Sequence, residues 1–161
     1  MRLRAGVLVL ALGMLAGAAG SAATPAKDLV VGLQVVKSRH QVLALVPVTI
    51  NGKGPFTFAL DTGAAQSLVD AALARRLHAT KAGSAGKIAG VNAVTRAQLV
   101  KVRSWKVGAV PLPATTLVVA NLPNGNAYVG LQGLLGSDML SRFDVVTIDY
   151  RRKQLRLQPH G

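Results

Sequence analysis

A mostly β chain with one or two short helices is the fold class that this sequence predicts. Three observations carry it. Runs rich in Val, Leu, Ile, Thr and Phe recur along the chain, at 30–36, 41–50, 56–60, 95–107, 114–120 and 145–150. Turn-forming residues separate them, with 17 Gly and 7 Pro in 161 residues. Helix-like segments are confined to two short stretches, near 70–77 and 136–140. Many short strands with Gly and Pro turns indicate one closed or sandwich-like β domain.

The N-terminus precedes that domain. Arg2 and Arg4 come before the apolar run 7–15, and small residues fill 17–23. Charged, apolar, then small is the order of a secretory signal, with cleavage near Ala22 or Ala23. An uncleaved anchor over 5–23 is the rival reading, long enough to span. Its last third holds only Gly, Ala and Ser, which favours cleavage. The chain thus divides into a signal peptide (1–22), a linker with an N-terminal strand (23–40) and a folded domain (41–158). An exported protein, periplasmic or secreted, with no stable membrane span after cleavage, is expected. It has no Cys, so packing must hold it together without disulfides. Thiol nucleophiles and thiolate metal sites are excluded with it.

The elements follow in order. Residues 30–36 read as a first strand and 41–50 as a second. Asn51-Gly52-Lys53-Gly54 is a hairpin turn signal, answered by the strand 56–60. Alternation puts Phe56, Phe58 and Leu60 on one face and Thr57, Ala59 and Asp61 on the other. A short helix is expected over 70–77, with Asp70 as its cap, Leu73 and Leu77 as an apolar pair, and Arg75 and Arg76 at its negative end. The stretch 81–90, with Gly83, Gly86 and Gly90, reads as a mobile loop or hairpin tip. Strands at 95–107 and 114–120 are joined by 108–113, and 121–126 is a further loop. Residues 134–140 run from an apolar strand into a short helix capped by Ser137 or Asp138. A hairpin closes the chain, with strands at 145–150 and 155–157 around Arg151-Arg152-Lys153.

Charge narrows the chemistry. The net charge is +13, and the basic residues are spread along the chain in small clusters. Trp105 is the sole tryptophan, beside two Tyr and three Phe. The aromatic-interleaved basic patches of single-strand binders are absent, so no nucleic-acid partner is expected. Trp105 is expected to pack on a sheet face or rim. His40, His78 and His160 lie far from acidic residues at ligand spacing, so neither metal nor cofactor is expected. The acidic residues are six Asp and no Glu: Asp28, Asp61, Asp70, Asp138, Asp144 and Asp149. Asp138 reads as a helix cap, and Asp144 and Asp149 as surface ion-pair members. Asp61 follows an apolar strand and opens Asp-Thr-Gly, which makes it the leading acid–base candidate.

Three features occur in sequence: Phe-Ala-Leu-Asp-Thr-Gly-Ala at 58–64, a glycine-rich hairpin candidate at 81–90, and Leu-Leu-Gly at 134–136 before a short helix and final hairpin. This order resembles the retropepsin-like aspartic proteases, most closely single-domain bacterial members with Asp-Thr-Gly-Ala, over residues 41–157. Asp-Thr-Gly alone is weak. The apolar strand before it, Ala64 and Ser67 after it, and Leu-Leu-Gly downstream sharpen it.

The resemblance implies a closed acid-protease barrel acting on polypeptide. Asp61 would be catalytic, supported by Thr62, Gly63, Ala64, Leu135 and Gly136, with Thr62 bonding across to a partner loop. Gly83, Ser84, Ala85 and Gly86 would form a flap over the substrate, though no aromatic residue stands near that tip, unlike in some members. Metal-free peptide hydrolysis needs an activated water and a proton donor to the leaving nitrogen, and two carboxylates sharing one proton supply both. The chain has one Asp-Thr-Gly, so the dyad implies a homodimer with an isologous interface. By the same analogy the terminal strands near 30–36 and 155–157 contribute to it. The alternative is a non-catalytic module of this fold that binds peptides or envelope polymers.

Overall fold

The computed structural model describes residues 28–37, 42–90, 93–122 and 130–160. The expected signal peptide and most of the linker lie outside them. Among the described residues, thirteen strands and two short helices follow in order: β1 (Leu29–Gly32), β2 (Gln34–Lys37), β3 (Val42–Ile50), β4 (Lys53–Leu60), β5 (Leu68–Asp70), α1 (Ala71–Arg76), β6 (Lys81–Gly90), β7 (Ala93–Val102), β8 (Trp105–Val107), β9 (Val110–Leu112), β10 (Thr115–Ala120), β11 (Leu131–Leu135), α2 (Ser137–Leu140), β12 (Phe143–Asp149) and β13 (Gln154–Pro159). The larger sheet runs β6-β7-β10-β5-β11-β4-β3-β8-β9, with β2 paired to β3. The smaller sheet is β1-β13-β12.

The β3–β4 hairpin shows how sequence sets register. Asn51 and Gly52 take φ of 48° and 77°, the left-handed pair that a tight hairpin needs. Val46 then faces Phe58 and Val48 faces Phe56. Phe56 and Phe58 are buried in the main core, while Ala59 packs with Leu45 and Leu131 in a smaller cluster. The expected alternation along this strand therefore holds. On its other side β4 pairs in parallel with β11, Leu60 opposite Leu135. That pairing needs Gly133, because a Cβ there would lie 2.3 Å from the Phe58 ring.

Helix α1 forms where expected. Asp70 caps it by accepting the Ala72 N–H at 2.8 Å, and its second oxygen accepts the Leu122 N–H. Trp105 is buried and donates its indole N–H to the Pro113 carbonyl at 2.8 Å.

Several elements differ from expectation. The strand expected over 30–36 is two strands in different sheets. The break falls at Leu33, whose N–H donates to the Lys153 carbonyl at 2.8 Å. Val31 and Leu33 both stay in the core as the chain crosses. The stretch 81–90, expected as a mobile loop or hairpin tip, is one arm of a hairpin: strand β6, paired with β7 from Lys81–Val100 to Gly90–Ala93. Gly83, with φ of 104°, and Gly86 fall at irregularities between Lys81 and Ser84 and between Ser84 and Lys87, while Gly90 pairs with Ala93. Residues 91–92, between the two strands, lie outside the described residues. The expected connection 108–113 contains β9, because Val110 and Leu112 bury on either side of exposed Pro111. Among the described residues no helix is long and apolar enough to cross a membrane.

Candidate active site

Asp61 follows β4 directly, where that strand lies between β3 and β11. Its own N–H donates to the Leu135 carbonyl at 3.0 Å, extending the β4–β11 pairing by one step. The chain then turns sharply. The Gly63 and Ala64 N–H groups donate back to Asp61 Oδ1 at 3.0 and 3.1 Å. A carboxylate fixed by two backbone donors keeps one orientation, which acid–base chemistry requires. Asp61 and Ala64 are half-buried, and Thr62 and Gly63 are exposed. The side chain thus sits at the surface of the sheet's end, not inside the core.

The start of α2 clamps this loop. The Ser137 N–H and hydroxyl both donate to the Ala64 carbonyl, at 2.8 and 2.9 Å. Gly136 makes that approach possible, since a Cβ there would stand 2.8 Å from the Ala64 carbonyl oxygen and from the Gln66 carbonyl carbon. Beyond the loop lies Ser67, 1% exposed. Its hydroxyl accepts the Gly136 N–H at 2.9 Å and donates to Asp138 Oδ1 at 2.6 Å. The Ser67 N–H reaches the same Asp138 oxygen at 2.9 Å. The two segments are joined at residue pairs 61–135, 64–137, 67–136 and 67–138.

The structure therefore brings Asp61, Thr62, Gly63, Ala64, Leu135 and Gly136 into one corner. Gly83, Ser84, Ala85 and Gly86 lie in the edge strand β6, with four strands between it and β4. The Asp138 expectation needs correction. Gly136, with extended backbone, is the N-cap of α2, and no side chain caps it. Asp138 sits in the first turn instead, and its carboxylate is taken by Ser67. Sequence distance hides this pair, because 71 residues separate the partners. No local pattern flags it.

Of the other described acids, Asp28 precedes β1 and is half-buried, and three more have partners away from the corner. Asp70 serves α1, Asp144 pairs with His160, and Asp149 pairs with Arg152 at 3.1 Å. The Arg152 backbone N–H, then its side chain, holds the Asp149 carboxyl below the usual range. Among the described residues no three His, Asp or Glu side chains gather as a metal site.

Residues 46–139 match the aspartyl protease family. The chain belongs to that family. The match runs from β3 through α2 and so contains the whole Asp61 corner. The fold of this aspartyl protease is retropepsin-like. It is similar to a retropepsin-like aspartic protease from Rickettsia conorii at 20% identity, covering 83% of this chain and 96% of that one, with a TM-score of 0.55. It is also similar to EIAV protease, solved with the inhibitor HBY-793, at 26% identity, covering 66% of this chain and 92% of that one, with a TM-score of 0.50. No curated protein matches the chain.

Proposed function

We propose that this chain is an exported aspartic endopeptidase that hydrolyses peptide bonds as a homodimer, each copy contributing one Asp61. One observation carries the reading. Asp61 is fixed by two backbone donors of its own loop, while Asp70, Asp138, Asp144 and Asp149 have other partners. The second carboxylate would come from a second copy, across a two-fold axis beside the exposed Thr62 and Gly63. One carboxylate takes a proton from water as the water oxygen attacks the peptide carbonyl. The other gives its proton to the departing nitrogen. No metal is required.

The small sheet favours a partner copy. Its inner face, Val31, Leu155 and Leu157, is buried in the core. Its outer face exposes Val30 and Val145, at 52% and 46%. Strands β1 and β12 both leave an edge unpaired within that sheet, and open edges with apolar neighbours invite pairing. The β6–β7 hairpin is the flap of this reading, closing over an extended substrate and excluding water. The leader supports export, to a periplasm or beyond.

Peptide-library cleavage by the mature chain, at several pH values and enzyme concentrations, tests the proposal. Cleavage that rises faster than linearly with enzyme and vanishes in Asp61→Asn is expected. A folded monomer that cleaves nothing at any concentration would leave a peptide-binding module instead. The N-terminal mass of protein recovered from an exporting host tests cleavage near Ala22 or Ala23.

A further inference from the structure

We propose that Asp138 is a positioning residue for the reaction, setting the geometry of Asp61 through Ser67. The inference rests on the protease reading and goes beyond the family's Asp-Thr-Gly. Ser67 is the one fully buried polar side chain among the described residues. It stands where the catalytic loop ends and β5 begins. Its hydroxyl has a single proton, and the Asp138 carboxylate takes it at 2.6 Å. That fixes the hydroxyl rotor, so a lone pair faces the Gly136 N–H at 2.9 Å. The same carboxylate oxygen accepts the Ser67 N–H at 2.9 Å. One carboxylate thus orders three donors in a row.

The consequence reaches Asp61 through the backbone. Gly136 lies between Leu135, whose carbonyl accepts the Asp61 N–H, and Ser137, which holds the Ala64 carbonyl twice. Ala64 in turn donates to the Asp61 carboxylate. Removing the Asp138 acceptor frees the Ser67 rotor and loosens the Gly136 amide, and with it both grips on the loop. A loop displaced by about 1 Å can cost on the order of 10²-fold in rate while leaving substrate contacts intact. An acid is not required for this role. Asn presents a carbonyl oxygen of the same shape that accepts both Ser67 donors.

The test compares the full mature chain with its Asp138→Asn, Asp138→Ala and Ser67→Ala variants. We expect Asp138→Ala to lower kcat by roughly 10- to 100-fold, with KM and dimer assembly, read by sedimentation, close to wild type. Asp138→Asn should restore most of kcat. Amide exchange read by NMR should quicken at Gly63, Ala64 and Gly136 in Asp138→Ala and stay slow in Asp138→Asn. Wild-type kcat in a folded Asp138→Ala chain overturns the proposal. So does an Asp138→Asn variant as impaired as Asp138→Ala, which would make the charge the cause. A loss confined to KM or dimer assembly also overturns it. Where Asp138→Ala does not fold, Ser67→Ala removes the same bridge from the other side and must reproduce the kcat loss. If the wild-type chain cleaves nothing, the protease reading fails by itself. Amide exchange at Gly63 and Ala64 then still decides the positioning role, faster exchange supporting it and unchanged exchange overturning it.

Discussion

The Asp61 corner and the small sheet β1-β13-β12 are built in opposite ways. In the corner, residues 61–67 and 135–138 are tied by hydrogen bonds between 2.6 and 3.0 Å, and a buried serine completes the set. The sheet is satisfied on one face alone. Leu155 and Leu157 are in the core, while Val30 and Val145 face outward. A single chain therefore completes the setting of one carboxylate and leaves apolar side chains exposed on that sheet. If the chain works as the homodimer proposed above, the corner's faults should appear as lost rate at any concentration, and the sheet's faults as lost assembly.

The largest expected effect breaks the corner at its chemistry. Asp61→Asn keeps the shape and an acceptor for the Gly63 and Ala64 amides but removes the base. Cleavage should fall by about 10³-fold or more, with the melting temperature nearly unchanged. Retained cleavage would place the chemistry elsewhere.

Gly136→Ala comes next and strikes packing and chemistry together. Its Cβ would meet backbone atoms of Ala64 and Gln66 at 2.8 Å, and backbone yields poorly. Overpacking of this kind costs about 1–3 kcal/mol, visible as several degrees in thermal unfolding. The loop bearing Asp61 should move with it, so kcat should fall further than stability alone explains. Gly133→Ala is the contrast. Its Cβ would meet the core Phe58 ring at 2.3 Å and the Leu68 carbonyl oxygen at 2.7 Å, away from the Asp61 loop itself, so its damage should register first in melting temperature.

A smaller effect sharpens the other side of the comparison. Val30→Glu with Val145→Glu puts charge on an exposed face that contributes no core contact. The isolated fold should melt as before. The enzyme concentration giving half-maximal specific activity should rise about tenfold, which corresponds to about 1.4 kcal/mol of association. An unchanged concentration dependence would remove this face from the interface.

Legibility in the sequence divides along the same line. The β3–β4 hairpin, α1 with its Asp70 cap, and the final hairpin follow local rules of turn, cap and alternation, and all three form. The corner was legible through the family resemblance, whose motifs at 58–64 and 134–136 are its two halves. The Ser67–Asp138 bridge was not, since each member alone looks ordinary and only the packing of β5 beside β11 brings them together. Residues 81–90 belong to a hairpin, one of the two readings the sequence allows, but as a paired arm rather than a tip. Their glycines resemble a loop, yet pairing with β7 overrides local preference, as tertiary context does for strands generally. The split of 30–36 likewise depends on two sheets competing for one segment, and periodicity is blind to that.

The smallest expected effect concerns the tip of the final hairpin, next to the small sheet but outside its exposed apolar face. Asp149 accepts the Arg152 N–H at 2.8 Å and a side-chain bond at 3.1 Å. These hold its carboxyl below the ordinary range, and the opposing effect of partial burial is outweighed. A depressed folded pKa stabilises the fold above the unfolded value, about 3.9. That contribution is lost as pH falls through the lower folded value. Thermal melting followed downward from pH 5 should therefore decline less steeply in Asp149→Asn than in wild type, and at pH 7 the variant should melt slightly earlier. Arg152 is largely exposed, so salt should shrink its side-chain share, while the backbone bond from its N–H persists. Wild-type and variant curves that stay parallel from pH 7 downward would show that the tip makes no net contribution. The concentration dependence of activity should be the same in both chains, because the tip belongs to neither the Asp61 corner nor the exposed apolar face.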